Sequence, residues 1–238
     1  EMAIAIAGAL DQSSPLVVEA GTGVGKSLAY LAPSVSFAVE NNRKAVISTH
    51  TINLQEQLID KDLPLLAKLL DFGFRAVLMK GRANYLCPRR LKRVLADADD
   101  LFERDEIDEL ERISDWAEET EDGSLSDLGF EPNSHVWDQV CSESHVCTPK
   151  SCGHGTGCFY QSVRKEVADA DVVVLNHTLL FTLMGVMDES DYAGEGFVFP
   201  DDFLVIDEAH TLENIAARQL GMRVTQAGIL YNLRRLYN

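Results

Sequence analysis

The stretch Glu19-Ala-Gly-Thr-Gly-Val-Gly-Lys-Ser27 decides the fold of this 238-residue chain. It follows a short apolar run at residues 16–19 and precedes a helical pattern at residues 27–40, which predicts the order strand, glycine loop, helix. Glycines in such a loop let backbone N–H groups surround a phosphate, and the helix adds the positive end of its dipole. The stretch therefore predicts a phosphate-binding loop, although Ala20 replaces the usual first glycine. The alternative is a glycine-rich turn that only caps a helix.

Two polar residues at the end of the loop indicate which ligand it takes. The ammonium group of Lys26 would neutralise the β and γ oxygens of ATP. The hydroxyl group of Ser27 would hold Mg²⁺. The loop therefore predicts one half of a site for ATP and Mg²⁺.

A second stretch near the other end of the chain, Phe203-Leu-Val-Ile-Asp-Glu-Ala-His210, supplies two carboxylates. It predicts a strand that ends at Asp207 and Glu208, on the edge where ligands bind in open α/β sheets. Asp207 would hold Mg²⁺ through water, and Glu208 would orient and deprotonate the attacking water. The predicted catalytic residues are Lys26, Asp207 and Glu208, and the predicted ligands of ATP and Mg²⁺ are Gly21, Thr22, Gly23, Val24, Gly25, Lys26, Ser27 and Asp207.

Further apolar runs at residues 44–49, 74–79 and 171–176 alternate with helical patterns. The run at residues 171–176 and the one at residues 203–207 are almost continuously apolar, as parallel strands covered on both faces are. A helical pattern at residues 52–70 is interrupted by Pro64. Strands that alternate with helices predict an α/β fold, with a parallel sheet flanked by helices.

The alternation stops in one long segment, which we interpret as a mostly helical insertion that contains all five cysteines. The first residues open in the middle of a helical pattern, so we expect the chain to be a piece of a longer protein. The predicted divisions are residues 1–80 and 168–213 for the two parts of the α/β domain, 81–167 for the insertion, and 214–238 for the truncated start of a further helical element.

The net charge of −17 at first opposes a nucleic-acid partner, because phosphate binding needs Lys and Arg. Sixteen acidic and two basic residues lie between positions 97 and 131, so this segment carries −14 of the total. We interpret the segment as a solvated helix face, and a compact basic cluster precedes it at positions 80–93. The apolar runs are too short to cross a bilayer, and the first ten residues lack the features of a signal peptide. A cytoplasmic protein that does not span a membrane is therefore predicted.

The cysteines favour metal ligation over disulfides, because their number is odd and the chain has no secretory signal. The spacing leaves both an iron–sulfur cluster and zinc open, although no pair has the two-residue separation that structural zinc prefers. A site of four thiolates would leave one of the five cysteines as a surplus thiol. Histidines at positions 135, 145 and 154 lie close by in sequence and are expected to be solvated.

Six blocks carry a family resemblance and occur in order along nearly the whole chain. They are Glu19-Ala-Gly-Thr-Gly-Val-Gly-Lys-Ser27, Ser48-Thr-His-Thr-Ile-Asn-Leu-Gln-Glu-Gln-Leu58, Asp62-Leu-Pro64, Lys80-Gly-Arg-Ala-Asn-Tyr-Leu-Cys-Pro-Arg-Arg-Leu91, Asn176-His-Thr-Leu-Leu180 and Ile206-Asp-Glu-Ala-His210. These blocks resemble the superfamily 2 DNA helicases of the XPD/DinG branch, in the form found in the bacterial DinG/YoaA type.

The resemblance implies a RecA-like P-loop domain that an iron–sulfur cluster domain interrupts. The cofactors it implies are ATP, Mg²⁺ and a [4Fe–4S] cluster. His210 would relay the presence of the γ-phosphate to the DNA-binding face. Asn176 and His177 would couple the nucleotide state to DNA, or they would only form hydrogen bonds at the end of a strand. The implied cluster ligands are Cys87, Cys147, Cys152 and Cys158. Cys141 does not fit the family spacing and is the surplus thiol, and the alternative is that it ligates in place of Cys147.

The resemblance also implies that single-stranded or forked DNA passes across the domain and the insertion. Hydroxyl groups at a strand-to-helix junction suit phosphate oxygens, and cations mixed with an aromatic suit a single strand. For Thr51, a helix cap is the alternative interpretation. The residues implied to contact DNA are Thr49, Thr51, Gln55, Arg82, Tyr85, Arg89 and Arg90.

The implied activity is ATP-driven translocation on single-stranded DNA with 5′-to-3′ unwinding, in DNA repair or replication stress at the bacterial nucleoid. A second RecA-like domain of the same full-length chain would supply the arginine finger, so this chain alone is expected to unwind nothing. Replication or repair proteins are the other expected partners. Two alternatives are a family member with mainly nuclease activity and a redox-sensing DNA-binding module in which the nucleotide is structural.

Overall fold

The computed structural model describes residues 1–21, 23–143, 146–147, 157–186 and 201–221. Its strands are β1 (Ala45–Thr49), β2 (Ala76–Leu78), β3 (Val172–Asn176) and β4 (Phe203–Ile206). Its α-helices are α1 (Met2–Asp11), α2 (Lys26–Asn41), α3 (Ile52–Gln57), α4 (Leu63–Ala67), α5 (Pro88–Ala96), α6 (Ala98–Leu101), α7 (Arg104–Glu119), α8 (Ser134–Val140), α9 (Phe159–Ala168), α10 (His177–Val186) and α11 (Leu212–Gln219). A π-helical turn, Leu58–Asp62, joins α3 to α4, and short 3₁₀ turns span Arg82–Asn84, Leu125–Asp127 and Ala209–Thr211.

The four strands form one parallel sheet in the order β2-β3-β1-β4. In its register, Ala45 of β1 lies opposite Val172 of β3 on one side and Phe203 of β4 on the other. All five residues of β1 are buried, as a central strand covered on both faces requires. The α/β fold with a parallel sheet flanked by helices is confirmed.

The prediction of a strand at residues 16–19 is wrong. This segment forms no strand, and its side chains are exposed, with Val17 at 97%. The same segment and β4 line one pocket of about 920 Å³. A strand exists only where a neighbour accepts its backbone hydrogen bonds, and β4 pairs with β1 alone among the described residues.

The two faces of the sheet carry separate hydrophobic cores, which follow the alternation of side chains along each strand. Ala45 and Ile47 pack with the buried face of α2, including Leu31 and Val35. Val46 faces the opposite way, into a core that the insertion shares through its aromatic residues. The insertion is therefore packed against one face of the sheet.

The insertion also has a hydrophobic cluster of its own, in which helices α5, α7 and α8 meet. Leu110 and Ile113 of the acidic helix α7 are fully buried there. Glu103 caps this helix, and its side chain and that of Glu106 exchange hydrogen bonds with the first turn. Most of the remaining α7 residues are exposed or half-buried, which confirms the prediction that the acidic segment forms a solvated helix face.

The helical pattern at residues 52–70 is divided in the structure into α3, the π-helical turn and α4. Pro64 lies in the first turn of α4, where a residue without an N–H group is tolerated. Across the described ranges, no helix combines the length and the apolar character needed to span a bilayer.

Candidate nucleotide site and cysteine cluster

The glycine loop turns sharply into α2. Gly23 and Gly25 have φ angles of +74° and +79°, in the left-handed region that favours glycine. Gly25 is the N-cap residue of α2, and its carbonyl oxygen accepts the first helical hydrogen bond, from Ala29 N–H at 3.2 Å. The loop thus aims the positive end of α2 into the pocket shared with β4, while Thr22 lies outside the described residues.

Asp207 follows β4, and two neighbours fix its carboxylate. Its backbone N–H donates to Ser48 O at 2.8 Å, which continues the hydrogen bonding between β4 and β1. Its Oδ2 accepts from the Tyr30 hydroxyl group at 3.3 Å, and its Oδ1 accepts from Glu208 N–H at 3.0 Å. Burial, followed by the charge of Asp207, raises the pKa of Tyr30 far above its ordinary value, so this phenol remains a donor.

Glu208 has a φ angle of +56°, which is rare for a residue with a side chain. Its carbonyl oxygen accepts from both the N–H and the hydroxyl group of Thr211, at 3.0 Å each, and these bonds hold the turn. Its carboxylate lies 3.4 Å from Lys26 Nζ and 3.4 Å from His210 Nδ1. The turn therefore directs the carboxylate back toward the glycine loop.

The fold brings Lys26 and Glu208 together from positions 182 residues apart. Lys26, Asp207, Glu208 and His210 all line the pocket of about 920 Å³. The three predicted catalytic residues are thus in one place. Tyr30 was missed from the sequence, since nothing distinguishes a functional tyrosine on the buried face of α2 from a core residue.

A buried polar pair lies beneath the carboxylates. Ser48 Oγ is 2.6 Å from Nδ1 of His177, and both side chains are fully buried. Burial lowers the pKa of His177, so the imidazole is neutral. Since Ser48 also accepts the Asp207 N–H, the pair ties the ends of β1, β3 and β4 together.

The hydroxyl and amide residues predicted to contact DNA differ in exposure. Thr49 and Gln55 are fully buried, and Gln55 donates to Met79 O at 3.3 Å. Thr51 is exposed, and its Oγ1 accepts from Leu54 N–H at 3.3 Å. Thr51 is therefore the N-cap residue of α3, as its alternative interpretation proposed.

The basic residues around Cys87 contact the insertion itself. Arg82 lies 4.4 Å from the centre of the Tyr160 ring and donates to Cys147 O at 2.9 Å. Arg90 donates to Cys141 O at 2.6 Å and also pairs with Glu143 at 3.2 Å. These two guanidinium groups brace the backbone of the cysteine-bearing loop.

Tyr85 and Arg89 flank Cys87 in very different environments. Tyr85 is 1% exposed, its hydroxyl group accepts from Lys80 N–H at 3.0 Å, and burial raises its pKa. Its ring packs against Tyr160, so it offers no face for base stacking in this conformation. Arg89 is exposed.

Two of the four predicted cluster ligands lie side by side. The Sγ atoms of Cys87 and Cys147 are 3.7 Å apart, and both side chains are buried. Cys158 is half-buried at the N-cap of α9, and Cys152 lies outside the described residues. Within the described residues, no group of three or more His, Cys, Asp or Glu side chains is arranged to hold a metal ion.

Cys147 is in a setting that favours a thiolate. Burial raises the pKa of the Cys147 thiol, but several contacts outweigh it. Glu143 N–H donates to Cys147 Sγ at 3.4 Å. Together with hydrogen bonds to Ser142 and Cys87 and the positive charge of Arg90, this bond lowers the pKa overall. Burial instead raises the pKa of Cys141. Cys141 thus has the character of a buried neutral thiol.

His135, one of the three histidines near the cysteines in sequence, is exposed and pairs with Glu106 at 3.0 Å. The other two, at positions 145 and 154, lie outside the described residues. His135 is therefore solvated, as predicted.

Comparison with known proteins reveals relatives of bacterial origin, although no protein-family model matches the chain. A Haemophilus influenzae protein named ATP-dependent DNA helicase YoaA is 38% identical over 94% of this chain and 34% of its own length. A Mycobacterium tuberculosis protein named ATP-dependent helicase DinG is 35% identical over 99% of this chain and 37% of its own length. A Bacillus subtilis protein named 3′-5′ exonuclease DinG is 30% identical over 97% of this chain and 24% of its own length. A solved structure titled XPD helicase covers 90% of this chain and 32% of that one, with 18% identity and a TM-score of 0.47.

The matches extend over nearly all of this chain but over only part of each relative. The chain spans 34% and 37% of the length of the first two relatives described. Identity of 35–38% over at least 94% of the chain connects the glycine loop, the insertion and the Asp-Glu-Ala-His motif in one homologous unit. The chain is therefore homologous to about one third of the proteins named YoaA and DinG.

Proposed function

We propose that this chain is the nucleotide-binding part of an ATP-dependent DNA helicase, which translocates on single-stranded DNA and unwinds duplexes in the 5′-to-3′ direction. The observation that carries the proposal is the meeting of Lys26, Asp207 and Glu208 at one pocket, at the mouth of a glycine loop. The names of the relatives, which state ATP dependence and DNA, support the choice of nucleotide and partner.

The residues of the pocket fit ATP and Mg²⁺. No atom lies within 4 Å of the position that a Cβ atom would take at Gly21, Gly23 or Gly25, so the loop is open to a phosphate chain. Ser27 and Asp207 supply oxygen ligands of the kind that Mg²⁺ prefers, and Lys26 supplies the charge that offsets the phosphates. Bound together, ATP and Mg²⁺ would supply the γ-phosphoryl group and the charge that neutralises it.

Each residue of the pocket has a role in this chemistry. Lys26 binds the phosphate oxygens, and Ser27 and Asp207 hold the metal ion. The Tyr30 hydroxyl group keeps Asp207 in place through its hydrogen bond at 3.3 Å. Glu208 orients and deprotonates the attacking water. His210, whose Nδ1 lies 3.4 Å from the same carboxylate, would relay the nucleotide state.

The contact between Lys26 and Glu208 can be exchanged for contacts with phosphate. Both side chains are partly exposed, at 26% and 31%, so the pair is worth little in free energy and exchanges easily for phosphate. Nucleotide binding would therefore release the Glu208 carboxylate toward water, and Lys26 would turn to the phosphates.

The test uses the full-length protein and its Glu208→Gln variant. We expect the variant to retain ATP binding and to lose ATP hydrolysis by about 100-fold or more, because an amide cannot take the proton of the attacking water. Glu213→Gln, on the exposed face of α11, is the matched control and should hydrolyse ATP normally. Equal hydrolysis by the two variants would contradict the assigned base.

We also propose a [4Fe–4S] cluster held by Cys87, Cys147, Cys152 and Cys158. The adjacent buried thiols of Cys87 and Cys147, and the thiolate-favouring setting of Cys147, support this ligand set over one that uses Cys141. Anaerobic purification followed by a visible spectrum with iron and sulfide analysis is the test. Cys147→Ser should remove the absorbance and Cys141→Ser should keep it, whereas a colourless protein with bound zinc would refute the cluster.

The DNA path is proposed on the exposed part of the predicted set. Thr51 at the start of α3 and Arg89 beside Cys87 are the exposed members of the set, so their side chains are accessible to a phosphate backbone. Replacing Arg89 by Gln should weaken single-strand binding and reduce its salt dependence by about one counterion. Binding by the variant that equals wild type at every salt concentration would remove Arg89 from the path.

The rest of the engine is proposed to lie elsewhere in the full-length chain. There the α/β domain of residues 1–80 and 168–213 would face a second RecA-like domain that carries the arginine finger, with a helical element beginning at residue 214. We propose the bacterial cytoplasm, at the nucleoid, as the location and replication or repair proteins as further partners. Unwinding by residues 1–238 alone would contradict this division of labour.

A nuclease is the second candidate, because the Bacillus subtilis relative bears the name of an exonuclease. Within the described residues of this chain, no group of three or more His, Cys, Asp or Glu side chains is arranged to hold a metal ion. Incubation of the full-length protein with end-labelled single strands and Mg²⁺ decides between the two. Shortening of the strand in the absence of ATP favours the nuclease.

A further inference from the structure

Lys80 carries a buried ammonium group at the junction of the sheet and the insertion. The residue is 4% exposed and lies two positions beyond the end of β2. Its Nζ is 3.1 Å from Glu56 Oε1 and 3.3 Å from Ser124 Oγ, and it also donates to Ser126 Oγ. A buried charge is stable only where such partners replace water, so the site is built around the cation.

The partners of Lys80 come from two different parts of the molecule. Glu56 belongs to α3, the helix that follows the central strand β1. Ser124 and Ser126 belong to the insertion, where Ser124 also forms an isolated antiparallel bridge with Tyr85. One ammonium group therefore connects a helix of the α/β domain to the cysteine-bearing insertion.

A second bond reinforces the connection on the side of α3. Gln55, which precedes Glu56, donates to the carbonyl oxygen of Met79, which precedes Lys80, at 3.3 Å. Gln55 and Met79 are both fully buried. Two consecutive residues of α3 thus hold two consecutive residues at the end of β2, and α3 cannot shift without moving Lys80.

The start of α3 is equally well connected to the nucleotide pocket. The helix begins three residues after Thr49, the end of β1, and the neighbouring Ser48 accepts the N–H of Asp207 at 2.8 Å. The end of α3 runs directly into the π-helical turn Leu58–Asp62. Short π-helical turns are rare in proteins overall, and those that occur often lie at functional sites.

We propose that Lys80 is a positioning residue that couples the insertion to the nucleotide pocket through Glu56 and α3. The proposal rests on the proposed function, in which DNA crosses both the α/β domain and the insertion. A displacement of β1 and α3 on nucleotide binding would be passed to the insertion by the Glu56–Lys80–Ser124 contacts. Binding of DNA against the insertion would act on the pocket along the same contacts in reverse.

The test compares full-length wild type with Lys80→Met, Glu56→Gln and the double variant. The rates measured are ATP hydrolysis without DNA and with saturating single-stranded DNA, and the concentration of DNA that gives half of the stimulation. Lys68→Met, at an exposed position of the same α/β domain, is the matched control. Visible absorbance and a thermal melt are recorded for each variant, so that loss of folding is distinguished from loss of coupling.

We expect each single variant to hydrolyse ATP without DNA within about twofold of wild type. Stimulation by DNA should fall about tenfold, equivalent to about 1.4 kcal/mol of coupling. The double variant should be no worse than either single variant, because both remove the same contact. Since Glu56 is partly exposed, Glu56→Gln keeps the test decisive even if Lys80→Met fails to fold.

Two results would overturn the proposal. One is a Glu56→Gln variant whose ATP hydrolysis is stimulated by DNA to within about twofold of the wild type and of the Lys68→Met control. The other is a double variant whose loss equals the product of the two single losses, which would make the residues independent. Absence of DNA stimulation in wild type itself would instead reject the proposed function, and this proposal with it.

Discussion

The backbone of Glu208 offers a quantitative test of the site geometry, through substitutions that remove its carboxylate. Glu208→Ala and Glu208→Gly both eliminate the contact with Lys26 at 3.4 Å, so that contribution cancels when the two variants are compared. What remains is the cost of a φ angle of +56° in the left-handed region. A residue with a Cβ atom pays about 1–2 kcal/mol for that conformation, and glycine does not.

The magnitude follows from two opposing effects. Glycine has a more disordered unfolded state, which ordinarily makes it less stable than alanine by about 0.4–1 kcal/mol. At Glu208 the relief of the left-handed conformation exceeds this entropy loss, so we expect Glu208→Gly to be more stable than Glu208→Ala by about 0.5–1 kcal/mol. The usual order of the two residues is therefore reversed.

The assay is urea unfolding of the nucleotide-free chain, followed by circular dichroism. Glu213, in the exposed first turn of α11, supplies the matched control. There the alanine variant should be the more stable by about 0.5–1 kcal/mol, because the position is helical. If alanine were also the more stable at Glu208, the left-handed turn that delivers the carboxylate would be refuted.

Three further outcomes are expected. Tyr30→Phe removes the hydroxyl donor that lies 3.3 Å from Asp207 Oδ2. It should raise the Mg²⁺ concentration needed for half-maximal ATP hydrolysis several-fold and reduce the unfolding free energy by about 1 kcal/mol. An unchanged Mg²⁺ requirement would contradict the role of Tyr30. Burial lowers the pKa of His177 in the folded protein below its ordinary value of 6.5. Below pH 6.5 the unfolded state therefore binds more protons than the folded state. The stability contributed by His177 is full above pH 6.5 and falls as the pH drops below it. His177→Gln should flatten that dependence in unfolding titrations, by up to about 1.4 kcal/mol per pH unit, and identical slopes would speak against a neutral buried imidazole. Leu110→Ala, at a fully buried position of the insertion, should reduce the unfolding free energy by about 3 kcal/mol. Leu101→Ala, at an exposed position, should reduce it by less than about 0.5 kcal/mol. Equal losses would exclude the separate hydrophobic cluster.

Much of the fold could be predicted because its signals are local. Four apolar runs became the four parallel strands, and the helix predicted at residues 27–40 spans Lys26–Asn41 in the structure. The strand predicted at residues 16–19 failed for a non-local reason. An apolar pattern measures the tendency to be buried, but a strand also needs a partner strand to take its hydrogen bonds.

The site residues divide along the same line. The glycine loop and the Asp-Glu-Ala-His motif combine residue types that are rarely grouped except around phosphate. They predict a site at Lys26, Asp207 and Glu208, and the structure brings these three residues to one pocket. Tyr30 could not be predicted, because its importance depends on Asp207, which lies 177 residues away. Tyr85 had the composition expected of a DNA contact, and yet it is buried against Tyr160.

The sequence by itself determined the parallel α/β class and predicted which residues form the pocket, because both depend on residue type and spacing along the chain. Only the tertiary structure decided which groups meet: Lys26 with Glu208, Ser48 with His177, and Lys80 with Glu56 and Ser124. Such contacts join residues far apart in sequence, and their free energy depends on burial and distance, which no pattern along the chain contains.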